Sequence, residues 1–315
     1  MQNSYSSVPE LSLESYITGT PSQRAGFIEG LYEGLKYFGF IILKDHGVET
    51  RLLDKAYQLA ADFFALPEDE KNTYITGVGG QRGYTPFGRE HAKGRDIPDL
   101  KEFWHVGREF PEGHDLNKIY SPNIWPNKPA GFEEIFLKLY SGLEEAGHIM
   151  LEALTPSLEL PEDFFRTMAT DGNSILRLLH YPPIDDGAPA GAIRAAAHED
   201  INLITILVSA NGSGLELLDK DGNWLAIDTA PENLIVDSGD MLARITNDII
   251  PATTHRVVNP QGPNVSRYSM PFFMHPFPDS VLSCLESCKM DGAKYSDITA
   301  EDFLNQRLKE IGLTA

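Results

Sequence analysis

The chain has 315 residues, 42% of them hydrophobic and 10% aromatic, ordinary globular composition with length enough for a large core. Its 46 acidic against 26 basic residues give a formal net charge of -20, which repels nucleic acid and anionic lipid and argues against a polyanion-binding module. A small anionic ligand stays compatible with that field where arginines gather locally. The opening MQNSYSSVPELSLESY has no basic segment ahead of an apolar core, so no secretory leader is expected, and no apolar run is long enough to span a bilayer. The two cysteines, Cys284 and Cys288, are read as buried or idle thiols, and the expected setting is cytoplasmic. No feature of the sequence sets an oligomeric state.

The first half reads as mostly helical. Residues 22–37 place Phe27, Leu31 and Leu35 at intervals of four, which predicts an amphipathic helix. FGFIIL at 38–43 is a short apolar run ending in the turn-like KDHGV, and it predicts a buried strand. Helical spacing returns at 50–66, and the acidic PEDE at 67–70 opens another short helix. Residues 77–99 are rich in Gly, Arg and Pro and read as a long loop. The stretch 130–154 is the longest amphipathic helix, with Phe132, Ile135, Leu139, Leu143 and Ile149 along one face.

From Ser174 the pattern changes. Runs rich in branched residues at 175–181, 202–208, 215–218, 224–227, 234–237, 241–244, 255–258 and 268–274 are separated by NGSG, DKDGN, PEN, SGD and NPQGPN, each a turn signal. About eight strands at this spacing without helices between them predict an antiparallel sandwich or barrel. Helical spacing resumes at 296–313, with Thr299 and Asp302 placed for an N-terminal cap. The division expected along the chain is a mostly helical region at 1–170, a jelly-roll core at 171–280 and a helical extension at 281–315, packed as one unit.

The segment AAAHEDINLITIL carries the chemistry. His198 and Asp200 stand two apart, so on an extended strand both face one way. His255, in ATTHRVVNP, opens a later strand and supplies a third ligand. Two imidazoles and one carboxylate on one side of an iron leave open positions for a cosubstrate and oxygen. With 9 histidines in the chain, one H-x-D carries little weight alone. Arg267-Tyr268-Ser269, about a dozen residues beyond His255, adds a guanidinium and a hydroxyl on one strand face, suited to a carboxylate. H-x-D, then His, then R-x-S, in that order within an all-β region, is a strong joint signal.

The order HED…HRV…RYS, with DSGDMLARITNDIIPATTHRVVNP and RYSMPFF around it, resembles the isopenicillin N synthase-like superfamily of Fe(II)/2-oxoglutarate oxygenases, and the likeness covers nearly the whole chain. FGFIILKDHGV, ALPEDEK and ILRLLHYPP resemble further segments of that family. The resemblance implies a double-stranded β-helix core with helices flanking it. It implies Fe(II) held by His198, Asp200 and His255, and a carboxylate held by Arg267 and Ser269, with Tyr181 near the metal. It also implies 2-oxoglutarate and O2 as cosubstrates, with succinate and carbon dioxide released as a small molecule is hydroxylated or desaturated. Leu179 stands where many members carry Asn, two residues before the tyrosine. His180 should point away from Tyr181 by strand alternation and reads as structural.

Candidates for the substrate wall are Arg82 and Tyr84 in QRGYTPFGRE, Glu102 and Phe103 in KEFWHVGRE, and Phe273 beyond the R-x-S pair. His46, His91, His114, His148 and His275 have no partner at ligand spacing and read as structural or exposed. Three other readings stay open: fragmentation of 2-oxoglutarate to ethylene, an isopenicillin N synthase-type oxidation with a peptide carboxylate on Arg267, and a cupin-like protein that binds metal without turnover.

Overall fold

A computed structural model of the chain describes residues 7–76, 82–90, 97–185 and 187–310, and of residues 209–211 the backbone only. The strands in chain order are β1 (Glu10–Ser12), β2 (Phe40–Lys44), β3 (Gly83–Thr85), β4 (Glu102–Gly107), β5 (Ile175–Tyr181) and β6 (Ala195–His198). They continue as β7 (Ile204–Asn211), β8 (Leu215–Leu218), β9 (Trp224–Ala226), β10 (Leu234–Ser238), β11 (His255–Val257) and β12 (Arg267–Met274). The helices are α1 (Leu13–Ile17), α2 (Pro21–Phe38), α3 (Thr50–Phe64), α4 (Glu68–Asn72), α5 (Phe132–Leu154), α6 (Phe164–Ala169), α7 (Asp240–Ile245) and α8 (Ala300–Glu310).

The expected jelly-roll forms from an eight-stranded sheet in the order β1-β2-β10-β7-β12-β5-β4-β3 and a four-stranded sheet in the order β6-β11-β8-β9. Four strands of the large sheet, β1 to β4, come from the chain before residue 171, so the helical N-terminal region and the barrel share one sheet.

Two-residue alternation explains why the large sheet reads as near-continuous apolar runs: it is covered on both faces. One face meets the helices, where Leu176 and Leu178, Ile204, Ile206 and Val208, Leu234 and Val236, and Met270, Phe272 and Met274 join the side chains of α2, α3 and α5 in one core. The other face looks into the barrel, where Leu179 and Tyr181, Leu207, and Ile235 meet Leu215, Leu217 and Val257 of the small sheet. Polar groups on that inner face therefore stand in a small enclosed space.

Several predicted elements appear with shifted ends; three were misread. The run at 241–244 is part of helix α7 and not a strand. Met, Leu, Ala and Arg favour helix, and Met241, Leu242 and Ile245 all bury from one short turn. The stretch read as loop contains β3, and β4 follows it where no element was expected; all six residues of β4 are buried, which erases the alternation a half-exposed strand would show. Residues 77–81 and 91–96 of that stretch, with His91, lie outside the described residues. The cap on α8 is present: the amide of Asp302 donates to Thr299 Oγ1 at 3.1 Å. Cys284 and Cys288 are buried and unpaired. No helix among the described residues is long and apolar enough to cross a membrane.

Candidate metal centre and carboxylate pocket

His198 is the last residue of β6 and pairs directly across to His255, the first residue of β11, so the ladder itself brings the two imidazoles together. Their ring centroids are 4.5 Å apart, and Phe40 of β2 stands edge-on to His255 at 5.6 Å. Asp200 arrives differently from what alternation predicts. β6 ends at His198, and Asp200 lies in the turn beyond, its backbone carbonyl accepting from the amide of Asp240 at 2.7 Å. The three side chains offer ligand atoms all within 4.8 Å of one another.

Nδ1 of His198 donates to the Ala196 carbonyl at 2.7 Å and Nδ1 of His255 to the Thr253 carbonyl at 3.1 Å. A carbonyl can only accept, so both rings carry a proton on Nδ1 and Nε2 is the atom left to face a metal. Those Nε2 atoms lie 3.8 and 3.9 Å from Asp200 Oδ1, too far for a hydrogen bond and within the span of two coordination bonds of about 2 Å each. The other carboxylate oxygen, Oδ2, accepts from Thr205 Oγ1, which leaves Oδ1 turned to the histidines. Burial and the neighbouring His255 hold His198 below the usual imidazole range, keeping it neutral. Burial works against the Asp200 charge, yet the two histidines and Thr205 outweigh it and hold this carboxyl below its usual range. Asp237 of β10 shows the opposite response, its carboxyl driven well up by burial and then by the Asp200 charge. The donor set, two imidazoles with Nε2 turned inward and one ionised carboxylate with open space beside them, fits a divalent iron.

The same cavity, about 60 Å³, is lined on β12 by Arg267, Ser269, Pro271 and Phe273, and on β5 by Arg177, Leu179 and Tyr181. Arg267 pairs with Tyr181 and Ser269 with Leu179 across the ladder, so the apolar Leu179 forms the wall beside the serine. Arg267 is 2% exposed, and its guanidinium stands over the Tyr181 ring at 5.2 Å. Its Nε donates to the Gly212 carbonyl at 3.3 Å, while its Nη1 is buried with no hydrogen-bond partner among the described residues. A buried guanidinium donor without an acceptor costs free energy that a bound carboxylate removes.

Of the residues expected at the substrate wall, Phe273 alone reaches this cavity. Glu102 points to the opposite face of its strand, where it pairs with Lys71 Nζ at 2.7 Å, accepts from His180 Nδ1 at 2.7 Å and takes the Tyr84 hydroxyl. Tyr84 and Glu102 are thus parts of a buried network behind the sheet. His180 also lies there, stacked on Tyr268 at 4.8 Å, facing away from Tyr181 as alternation predicts. Arg82 donates from Nε to the Ser121 carbonyl at 3.1 Å and lines a separate cavity with Tyr120 and Glu301. Phe103 lies beneath the Arg177 guanidinium, 4.3 Å from ring centroid to Cζ, and supports it from behind.

Residues passed over in the sequence stand in their place. Arg177 faces the cavity and is held by His105 Nε2 at 2.6 Å and Glu90 Oε1 at 3.1 Å. Lys101, also in the wall, pairs with the same Glu90 oxygen at 2.7 Å and with Asp99 at 2.9 Å. Asp99 in turn accepts from the amide of Ala196 at 3.0 Å, tying this charged network to β6. Burial opposes the charge on Glu90, but Arg177 and Lys101 hold it ionised well below the usual carboxylate range. Arg177, Leu179 and Tyr181 sit at i, i+2 and i+4, a signal readable in the sequence once Tyr181 is placed in the site.

Comparison with known proteins decides the family. Residues 172–276 match the model of the 2OG-Fe(II) oxygenase superfamily, and residues 8–128 match that of the non-haem dioxygenase N-terminal region described from morphine synthesis. The chain belongs to the 2OG-Fe(II) oxygenase superfamily. It is 30% identical to the 2-oxoglutarate-Fe(II) type oxidoreductase hxnY of Emericella nidulans, over 96% of this chain and 89% of that one. A 2OG-Fe(II) oxygenase family protein from Caulobacter crescentus shares 42% identity with a TM-score of 0.87, over 98% of this chain and 100% of its own. A full-length Neurospora crassa protein in complex with alpha-KG gives 27% identity and a TM-score of 0.85, with 95% of each chain covered. The protein is therefore a non-haem iron dioxygenase that uses Fe(II), 2-oxoglutarate and O2 to oxidise a small molecule.

Proposed function

We propose that His198, Asp200 and His255 hold the Fe(II) of this oxygenase, that Arg267 and Ser269 take the distal carboxylate of 2-oxoglutarate, and that Tyr181 bounds the cosubstrate beside Arg267. The observation that carries this reading is the buried, unpartnered Nη1 of Arg267 in the cavity that also holds the three ligands. Bound Fe(II) supplies the oxygen activation that couples oxidative decarboxylation of 2-oxoglutarate to oxidation of the small molecule. The chain's own residues orient and shield. The Nδ1 bonds of His198 and His255 fix ring direction, Thr205 turns the Asp200 carboxylate, and the aliphatic walls keep water from the reacting centre. Phe273 and Arg177 form the face toward the small-molecule substrate. A cytoplasmic setting suits the unpaired thiols Cys284 and Cys288.

Anaerobically purified protein given Fe(II), labelled 2-oxoglutarate and air should release succinate, and Asp200→Ala should abolish the release. Ethylene in its place would assign the fragmenting reaction, and no consumption of 2-oxoglutarate under any condition would sink both. Arg267→Ala should weaken 2-oxoglutarate binding by about tenfold to a hundredfold, the size of a charged hydrogen bond, while Fe(II) affinity stays within about twofold. Equal loss of both affinities would remove the role given to Arg267.

A further inference from the structure

Arg267, Leu207 and Leu215 each face two cavities. On one side is the cavity of the His198–Asp200–His255 cluster, and on the other is a pit of about 310 Å³ that opens between residues 212–213 and 228–231. The wall between them is one side chain thick. Leu207, Leu215, Ile227 and Ile235 line the pit, at 8%, 7%, 6% and 3% exposure, so its floor is aliphatic apart from Arg267, while Ser213, Asp228 and Thr229 make its rim polar. Leu215 opens β8 directly after Gly212 and Gly214, whose φ values of +122° and +116° are ones that other residues avoid.

We propose that this pit is the port through which dioxygen enters, passing the seam between Leu207 and Leu215 to the metal centre. The proposal rests on the reading that Arg267 holds 2-oxoglutarate and that the small-molecule substrate lies on the Phe273 side. With 2-oxoglutarate on Arg267, the seam between Leu207 and Leu215 gives an approach to the metal centre from behind the clamp, whether or not the small-molecule substrate is present. Charge decides what can use it. Among the described residues lining the pit the one cation is the buried Arg267, while Asp228 stands at the rim of a chain of net charge -20. The rim carboxylate disfavours 2-oxoglutarate and succinate at this mouth, whereas the metal cavity carries Arg177 and Lys101 besides Arg267 to attract them from the other side. An uncharged, apolar diatomic pays no such cost and partitions favourably into an aliphatic cavity, as xenon does. Rotamer changes of an aliphatic side chain take picoseconds to nanoseconds, fast enough that a closed seam need not limit turnover.

The test pairs a structural with a kinetic reading. Crystals of the metal-free protein under xenon should show the gas in the pit and at the Leu207–Leu215 seam. Ile227→Phe fills the pit without touching the metal cavity. It should remove the xenon and raise the KM for O2 in uncoupled 2-oxoglutarate turnover by about threefold or more, with the KM for 2-oxoglutarate unchanged. Ser213→Trp, a change at the exposed rim that leaves the core intact, should act in the same direction, and Leu215→Ala should not raise the KM for O2. A pit that takes up no xenon, or plugged variants whose KM for O2 equals that of the parent, would overturn the port and leave the reading of the site standing. A parent that consumes no 2-oxoglutarate would overturn that reading and the port with it.

Discussion

At the residue scale the arrangement turns on Thr205. Asn202 Nδ2 donates to Thr205 Oγ1 at 3.1 Å, and Thr205 donates onward to Asp200 Oδ2, so a relay of two side chains selects which oxygen faces the histidines. Thr205→Val keeps the shape and removes the donor. It should lower Fe(II) affinity by about tenfold or more, as loss of a partner to a metal ligand generally does, with little change in 2-oxoglutarate affinity once iron is saturating. Anaerobic iron titration checks this, and an unchanged Fe(II) affinity would show that the carboxylate needs no such support. The ligand set itself was legible in the sequence, because H-x-D, His and R-x-S keep their order on adjoining strands. Glu102 and Tyr84 were expected at the substrate because their segments fall where the substrate loop of the resembled family tends to lie. What reassigns them is Lys71, a residue of α4 that reaches the far side of β4 and neutralises Glu102 there. A contact across 31 residues of chain leaves no trace in local pattern. Arg177 was missed for the converse reason: its strand is apolar on both sides, and a lone arginine there gives no periodicity of its own.

At the scale of elements, the turn between α2 and β2 supports the metal centre from a distance. α2 is bounded at its start by a capping box between Thr20 and Gln23 with Pro21 in the first turn, and at its end by Gly39 in the left-handed region at φ +69°. A Cβ at Gly39 would lie 2.1 Å from Thr253 Oγ1. Thr253 is the residue whose carbonyl holds Nδ1 of His255. Gly39→Ala should therefore cost stability through both strain and collision, about 1–3 kcal/mol. It should also weaken Fe(II) binding by moving Thr253. Urea unfolding of the metal-free protein gives the first quantity and iron titration the second; a stability loss with unchanged iron affinity would disconnect this turn from the site. Helices α2, α3 and α5 and most of the barrel strands were readable from period alone. The short α7 was not, since four apolar or helix-favouring residues between turn signals fit either period, and the bonds from Asp240 and Met241 back to Asp200 and Ile201 that fix it are tertiary.

At the scale of the whole molecule, burial of neutral histidines sets how the fold responds to acid. Burial, aided by the Arg166 charge, pushes His148 of α5 down to about 4, and burial, against the pull of the Asp200 charge, pushes His275 down to about 4, from the ordinary 6.5. Above pH 6.5 neither is protonated in the folded or the unfolded chain, and they contribute no pH dependence. Between 6.5 and 4 the unfolded chain takes up protons that the folded chain refuses, so stability falls as pH falls, by about 1.4 kcal/mol per unit for each histidine. In the metal-free protein His198, held low by burial and by His255, acts in the same direction. Depressed carboxylates such as Glu90 and Glu102 lose their contribution only at lower pH, below their unfolded range. Opposing all of these are Asp237, Glu144 and Asp240, whose carboxyls burial raises so that the folded chain takes up protons before the unfolded one, and the net charge of -20, whose self-repulsion weakens as acid groups protonate. The histidines win between pH 6.5 and 5, because three buried imidazoles there outweigh Asp237, the carboxyl raised furthest. Urea unfolding of the metal-free protein should therefore show a loss of about 1–2 kcal/mol on going from pH 6.5 to 5.5, and His148→Gln should remove about 1 kcal/mol of it. A flat profile over this window would mean that relief of repulsion already balances the cost of charging buried imidazoles, and the acidic surface rather than the core would then govern the acid limit of the fold.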